Sequence, residues 1–248
     1  MIIESIRYGI SKIFDTRVFL FSALLLIPIV LTFFFSVFFE SFLQTFFVLN
    51  FLFSLIYILY YPFVFSSLVN YANKELKKKK VESCYKILKE SLKFYPRMLI
   101  LSIIISIILG ILFLPSFFYA FFAVYSPESL TIFFIIFILN LIFVIYLYFR
   151  LHLSQYLVII ENKGIIDSLK LSWKISKGKV LSLFLIGFIF SILLTFLTLL
   201  FLFLFFLVFK NPFISLLVIY LASITSLIYY TFSYSFAYLK FLKKRKRK

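Results

Sequence analysis

The sequence predicts an all-α fold, a bundle of six transmembrane helices. Three observations carry that expectation. The first is composition: 64% of the 248 residues are hydrophobic, and mean hydropathy is +1.13. Much of any folded surface stays wet, so a soluble domain of this size cannot hide that much apolar material. The second is length. A helix needs about 20 apolar residues to cross the hydrocarbon core, and such stretches run over 18–39, 46–71, 98–123, 130–160, 180–209 and 213–239. The third is the lack of strict period-two alternation, which argues against a β-barrel. Helices satisfy their own backbone N–H and C=O groups where lipid offers no partner.

The linkers between these stretches alternate between very basic and almost uncharged. Arg7, Lys12 and Arg17 precede the first stretch. Lys74, Lys77, Lys78, Lys79, Lys80, Lys86, Lys89, Lys93 and Arg97 lie between the second and third. Lys163, Lys170, Lys174, Lys177 and Lys179 lie between the fourth and fifth, and Lys240 to Lys248 follow the sixth. These groups hold 24 of the 26 Lys and Arg. Short basic loops stay cytoplasmic. The expectation is a multi-pass protein of the cell membrane with both termini in the cytoplasm. The first residues read as an amphipathic segment and not as a cleaved signal peptide, since the apolar run that follows is too long for an h-region.

The net charge of +17 is accounted for by topogenesis and by contact with anionic lipid headgroups. Each juxtamembrane basic residue gains about 1 kcal/mol near such a surface. Lys77, Lys78, Lys79, Lys80, Lys243, Lys244 and Arg245 are the candidate headgroup contacts. Nucleic acid is not an expected partner, because the basic runs lack interleaved aromatics or a recognisable motif.

A repeat is expected within a single membrane domain, with units 1–73, 74–160 and 161–239 and a basic tail at 240–248. Leu88-Lys89-Glu90-Ser91-Leu92-Lys93 resembles Leu169-Lys170-Leu171-Ser172-Trp173-Lys174 at an offset of 81 positions. Ser106 and Gly110 fall on Gly187 and Ser191 at the same offset. A fainter copy places Ser11, Phe14, Arg17 and Ser22 on Ser91, Phe94, Arg97 and Ser102. Each unit is read as an amphipathic helix followed by a membrane hairpin. Ile3, Ile6, Ile10 and Ile13 share one face of the first short helix. Val81, Cys84, Leu88 and Leu92 do so in the second, and Ile166, Leu169, Trp173 and Ser176 in the third. A helix with one basic and one apolar face lies in the membrane interface, where indole is also at home.

The stretch from Arg150 through Glu161, Gly164, Ser172, Trp173 and Lys174 to Gly178 resembles the signature of uncharacterised prokaryotic membrane proteins of the YciC-like type. These are related to the membrane region of membrane-anchored glycerophosphodiester phosphodiesterases. The shared pattern is an Arg within a span, an acidic residue and Gly, then a serine-rich helix ending in Ser-Trp-Lys and Lys-Gly. The resemblance implies a polytopic helical membrane protein. It is not expected to bring phosphodiesterase activity, because 248 residues leave no room for the separate catalytic domain of those enzymes.

Polar residues within spans are the usual pointer to function. None of the nine acidic residues lies mid-span. The fourth stretch carries Arg150, His152 and Gln155, with Glu161 at its end. Helical geometry puts Tyr148, His152 and Gln155 on one stripe and Tyr146, Arg150 and Ser154 on another. At about 1.5 Å per residue this stretch spans roughly 45 Å, against a core of about 30 Å. Either the helix leaves the hydrocarbon near Arg150, or Arg150 faces an internal cavity. Ser102-Ser106-Gly110 and Gly187-Ser191-Thr195 are expected to form a packing seam between the third and fifth spans. Pro28, Pro62 and Pro115 should kink their helices.

The functional expectation follows. One histidine, one cysteine (Cys84) and no paired carboxylates argue against an enzyme, a metal site or a cofactor. The first reading is a non-enzymatic protein that organises anionic lipid or a membrane protein partner at the cytoplasmic leaflet. The alternative is a transporter or channel for a small or amphiphilic solute, with an internal site near Arg150.

Overall fold

The structure, a computed structural model, describes residues 2–24, 26–27, 43–77, 83–123, 127–209 and 212–246. All of its regular secondary structure among the described residues is α-helical. The elements are α1 (Ile2–Ile13), α2 (16–24), α3 (Leu43–Leu76), α4 (Cys84–Ser91), α5 (Tyr95–Ala123), α6 (Pro127–Ile160), α7 (Ile165–Ser176), α8 (Val180–Phe209) and α9 (Pro212–Lys246). Among the described residues, three helices are long and apolar enough to cross a membrane: Tyr95–Ser116, Phe134–Ile160 and Val180–Phe201. Helices α3 and α9 run through the expected second and sixth stretches. Pro28, Val81 and most of the first stretch lie outside the described residues. Three short helices, α1, α4 and α7, each precede a longer one.

The chain forms two compact units: Met1–Tyr95 with Ser182–Lys248, and Pro96–Leu181. In the first, Val18, Phe21, Val64, Leu68, Ile87, Ile228 and Phe232 share a buried core. Helix α1 lies along α9. Its buried positions are Ser5 and Gly9, and a Cβ at Gly9 would run into Ser233 Oγ and approach the Tyr229 ring to 2.9 Å. Glycine is therefore what lets the two helices close. Tyr8 stacks on Phe236 at 5.2 Å beside this contact.

Charged and amide side chains fasten α1 and α4 to α3. Lys12 of α1 pairs with Glu75, and with Asp15 at 3.3 Å. Glu90 of α4 takes Lys74 at 2.6 Å and the Asn70 amide at 3.3 Å. Glu4 pairs with Lys240 of α9.

Of the small residues singled out by spacing, Gly187 lies against Tyr234 and Tyr230 of α9, and Ser191 hydrogen-bonds Tyr230. The near approach at α8 thus receives tyrosine side chains. In the second unit Asn140 of α6 donates to Leu112 O and to Ser116 Oγ, each at 2.7 Å. These partners flank Pro115, which has no N–H to give to the preceding turn.

The pairing of α1 has a pH signature. Burial disfavours the Lys12 ammonium, but its hydrogen bonds and attraction to Glu75 and Asp15 outweigh burial and raise it above the ordinary 10.5. Burial and then Glu75 raise the Tyr8 phenol well above its ordinary 10.0. Both groups hold their protons more tightly when α1 is docked. Their contribution is complete below those ordinary values and is lost as pH rises through the docked ones. The Lys240 hydrogen bond lowers Glu4 below 4.5, so that tie is present above 4.5 and lost as pH falls. Nitroxides at Arg7→Cys and Leu221→Cys, in a Cys84→Ser background, should give one short pulsed-EPR distance from about pH 5 to 10. The distribution should broaden as pH rises above 10.5 and through the docked values; a distribution that never broadens over that rise would contradict the docked pairing.

Candidate functional site

The second unit brings the resemblance motif together. Helix α6 changes character along its length. Phe134, Ile135, Ile138, Leu139, Ile142, Phe143, Tyr146 and Tyr148 are exposed, whereas Arg150 to Ser154 and Tyr156 to Ile160 are buried. An exposed apolar face is what lipid solvates, so the lipid-facing surface of this helix ends at Tyr148, two residues before Arg150. Arg150 itself is 5% exposed.

Helix α7 packs on this part of α6. Its buried residues are Ser168, Ser172, Ile175 and Ser176. Ser172 Oγ donates to the Arg150 carbonyl at 2.6 Å. The small serine face allows close approach, and that bond satisfies a backbone acceptor. The next residue, Trp173, lies with its ring 3.9 Å from the Arg150 guanidinium carbon. Tyr146, one turn earlier on α6, lies 5.8 Å away. A guanidinium stacks well on aromatic faces. Yet Arg150 Nε is buried and makes no hydrogen bond. Among the described residues the guanidinium has no ion-pair or hydrogen-bond partner: neither Glu161 nor Asp167 reaches it.

The loop into α7 is clasped from α5. Arg97 donates to Asn162 Oδ1 at 2.7 Å and to the carbonyls of Asn162 and Lys163 at 3.5 and 3.3 Å. Asn162 has a φ of 54°, a left-handed conformation that asparagine tolerates. Gly164 caps α7 in an extended conformation. Gly178 in the turn after α7 has a φ of 71°, which favours glycine.

The other candidates are placed as follows. His152 stacks on Tyr148 at 5.0 Å and meets Tyr156 edge-on at 5.3 Å. Gln155 donates to Ser102 Oγ at 3.5 Å. The two stripes therefore separate, with Arg150 under Trp173 and His152 among tyrosines. Glu161 is half-buried, and Lys174 is exposed. Lys77 is exposed, while Lys78, Lys79 and Lys80 lie outside the described residues. Lys243, Lys244 and Arg245 continue α9, and only their backbone is described.

Several of the large apolar residues of the amphipathic helices point outward: Ile3 is 79% exposed, Leu92 55% and Ile166 66%. Cys84 is also exposed. The protein-facing positions are Ser5 and Gly9 in α1, Ile87 and Ser91 in α4, and the serines of α7. Ser91 and Ser172, the pair related by 81 positions, are both buried and each meets the preceding long helix, through different bonds. Ser91 accepts from Asn70 of α3 at 3.5 Å, and Ser172 bonds the Arg150 backbone of α6. Asn70, Glu75, Glu90 and Asn140 drew no functional notice in the sequence. A polar residue at the edge of an apolar run was the available signal.

Searches of family models, curated proteins and solved structures find nothing that matches this chain.

The motif glycines make separable predictions. Gly178→Ala forces an L side chain into a left-handed turn and should cost about 1–2 kcal/mol. Gly164→Ala meets only Asp167 Oδ2 at 3.8 Å and needs no left-handed backbone, so its cost is the smaller, about 0.5 kcal/mol from alanine being a poorer N-cap than glycine. Thermal unfolding in detergent should lower the midpoint clearly for Gly178→Ala alone. Equal shifts would contradict the turn geometry.

Proposed function

We propose that the chain is a non-enzymatic multi-pass protein of the cell membrane, with six spans and cytoplasmic termini. In this reading it organises anionic lipid or a membrane protein partner at the cytoplasmic leaflet. The observation that carries it is the outward face of the short helices. Ile3, Leu92, Ile166 and Trp173 are exposed beside Arg7, Lys93, Lys170 and Lys174, which are also exposed or nearly so. Apolar and basic groups on one outward face suit the boundary between acyl chains and anionic headgroups. The 81-position repeat of a short helix before a membrane hairpin belongs to this proposal, as does kinship with the YciC-like proteins. The burial of both Ser91 and Ser172, each bonded to the preceding long helix, supports the repeat.

A transporter with an internal site near Arg150 is the second reading, favoured by one observation: a permanently charged side chain that is 95% buried within a membrane-length helix. Against it, Arg150 lies where the exposed apolar face of α6 ends and not at the middle of the span.

Two variants separate the readings. Replacing Lys77, Lys78, Lys79 and Lys80 with Gln should lower retention of anionic lipid severalfold in native mass spectrometry from nanodiscs, most strongly at low salt. Arg150→Leu should leave bulk lipid and partner retention within about twofold of wild type. A solute flux abolished by Arg150→Leu, with lipid retention unaffected by the lysine changes, would move the transporter to first place.

A further inference from the structure

Arg150 is a buried charge that meets aromatic rings and, among the described residues, no hydrogen-bond acceptor. A guanidinium carries five N–H donors, all in its plane, and cannot lose its proton under ordinary conditions. Trp173, at 3.9 Å, occupies one face. Rings stack on guanidinium faces but accept none of those in-plane hydrogen bonds. The described carboxylates nearest in sequence, Glu161 and Asp167, form no ion pair with it. Nε is buried without an acceptor. Leaving such a group unmet at low dielectric is costly, and an anion with two oxygens in the guanidinium plane answers it.

Depth indicates which anion. From residue 130 to Arg150 the helix rises about 30 Å, the thickness of the hydrocarbon core. The exposed apolar residues of α6 stop at Tyr148. Trp173 is 45% exposed and sits between outward Lys170 and Lys174, the company an indole keeps at headgroup level. A group at that depth meets lipid phosphates at far higher local concentration than any free anion.

We propose that the in-plane edge of the Arg150 guanidinium, beneath Trp173, is a binding site for the phosphate of an anionic phospholipid headgroup. Tyr146 flanks it, Ser172 fixes the Arg150 backbone, and Trp173 holds the guanidinium in one orientation. The proposal rests on the lipid-organising reading and deepens it. The lysine runs would attract the anionic surface as a whole, whereas Arg150 would hold one lipid in a set geometry.

Trp173 is the only tryptophan in the chain, so its fluorescence reports this site alone. The purified protein in neutral maltoside micelles is titrated with short-chain phosphatidylglycerol, with short-chain phosphatidylcholine, and with sodium phosphate at constant ionic strength. The expected result is a saturable change in Trp173 emission with phosphatidylglycerol. Its apparent affinity should fall at least tenfold in Arg150→Gln and persist when Lys77 to Lys80 are replaced by Gln. Arg150→Lys, which keeps the charge without the planar fork, should retain a weaker response. A wild-type emission indifferent to all three titrants overturns the proposal without needing any variant to fold. A response that survives Arg150→Gln, in protein with wild-type circular dichroism, also overturns it. A response to inorganic phosphate alone overturns the lipid as the source. The broader reading fails separately, if the native protein retains no anionic lipid and no partner whatever Trp173 does.

Discussion

Hydrocarbon offers no hydrogen-bond partners, and that constraint governs which side chains are buried here. Polar groups enclosed near an apolar helix have to find acceptors and donors inside the chain. Serines return their protons to carbonyls of the preceding turn, as Ser66 and Ser67 do to Phe63 and Ser22 does to Val18. Asn140 spends its amide on the backbone and hydroxyl beside Pro115. The phenol of Tyr95 donates to Leu59 O at 2.9 Å, three residues before Pro62. The proline helices thus carry polar side chains where the helical ladder is weakest. Some buried hydroxyls, such as those of Thr231 and Ser235, lack a hydrogen-bond partner among the described residues, and Arg150 Nε is the cationic group among these exceptions.

The same constraint explains the short helices. In water an amphipathic helix turns its apolar stripe inward, because burial of apolar area drives folding. Lipid is as apolar as leucine, so that drive is missing, and close packing and hydrogen bonds decide which face is buried. Gly9, Ser91 and Ser172 are therefore the inward residues, and Ile3, Ile166 and Trp173 the outward ones. The ties of α1 and α4 to the end of α3 add charge pairing. Partly exposed pairs such as Lys74 with Glu90 are each worth about 1 kcal/mol or less, so glycine and serine contacts carry much of the fit.

This also sets what was legible in the sequence. Helical class, the long apolar stretches and the existence of three short helices follow from length and periodicity alone. Spacing located the amphipathic stripes, but not their direction, because periodicity does not say which solvent each face meets. Gly187 and Ser191 stood out by spacing, but the α9 tyrosines they receive did not, since a small residue permits contact without naming its partner. Arg150 was conspicuous as a charge in an apolar run. Its aromatic partner was not, because Trp173 comes from another helix and a lone sequence carries no pairing information. Glu75 and Glu90 were hidden among lysines, where only the fold distinguishes a paired carboxylate from a solvated one.

The central claim is that basic loops and short helices lie on the cytoplasmic side. Cys84, the only cysteine and exposed at the start of α4, tests it directly. A membrane-impermeant maleimide is applied to intact cells and to inverted membrane vesicles. The account predicts labelling in inverted vesicles and almost none in intact cells until they are permeabilised. Equal labelling in intact cells would put α4 outside and contradict the topology on which the lipid-organising reading stands.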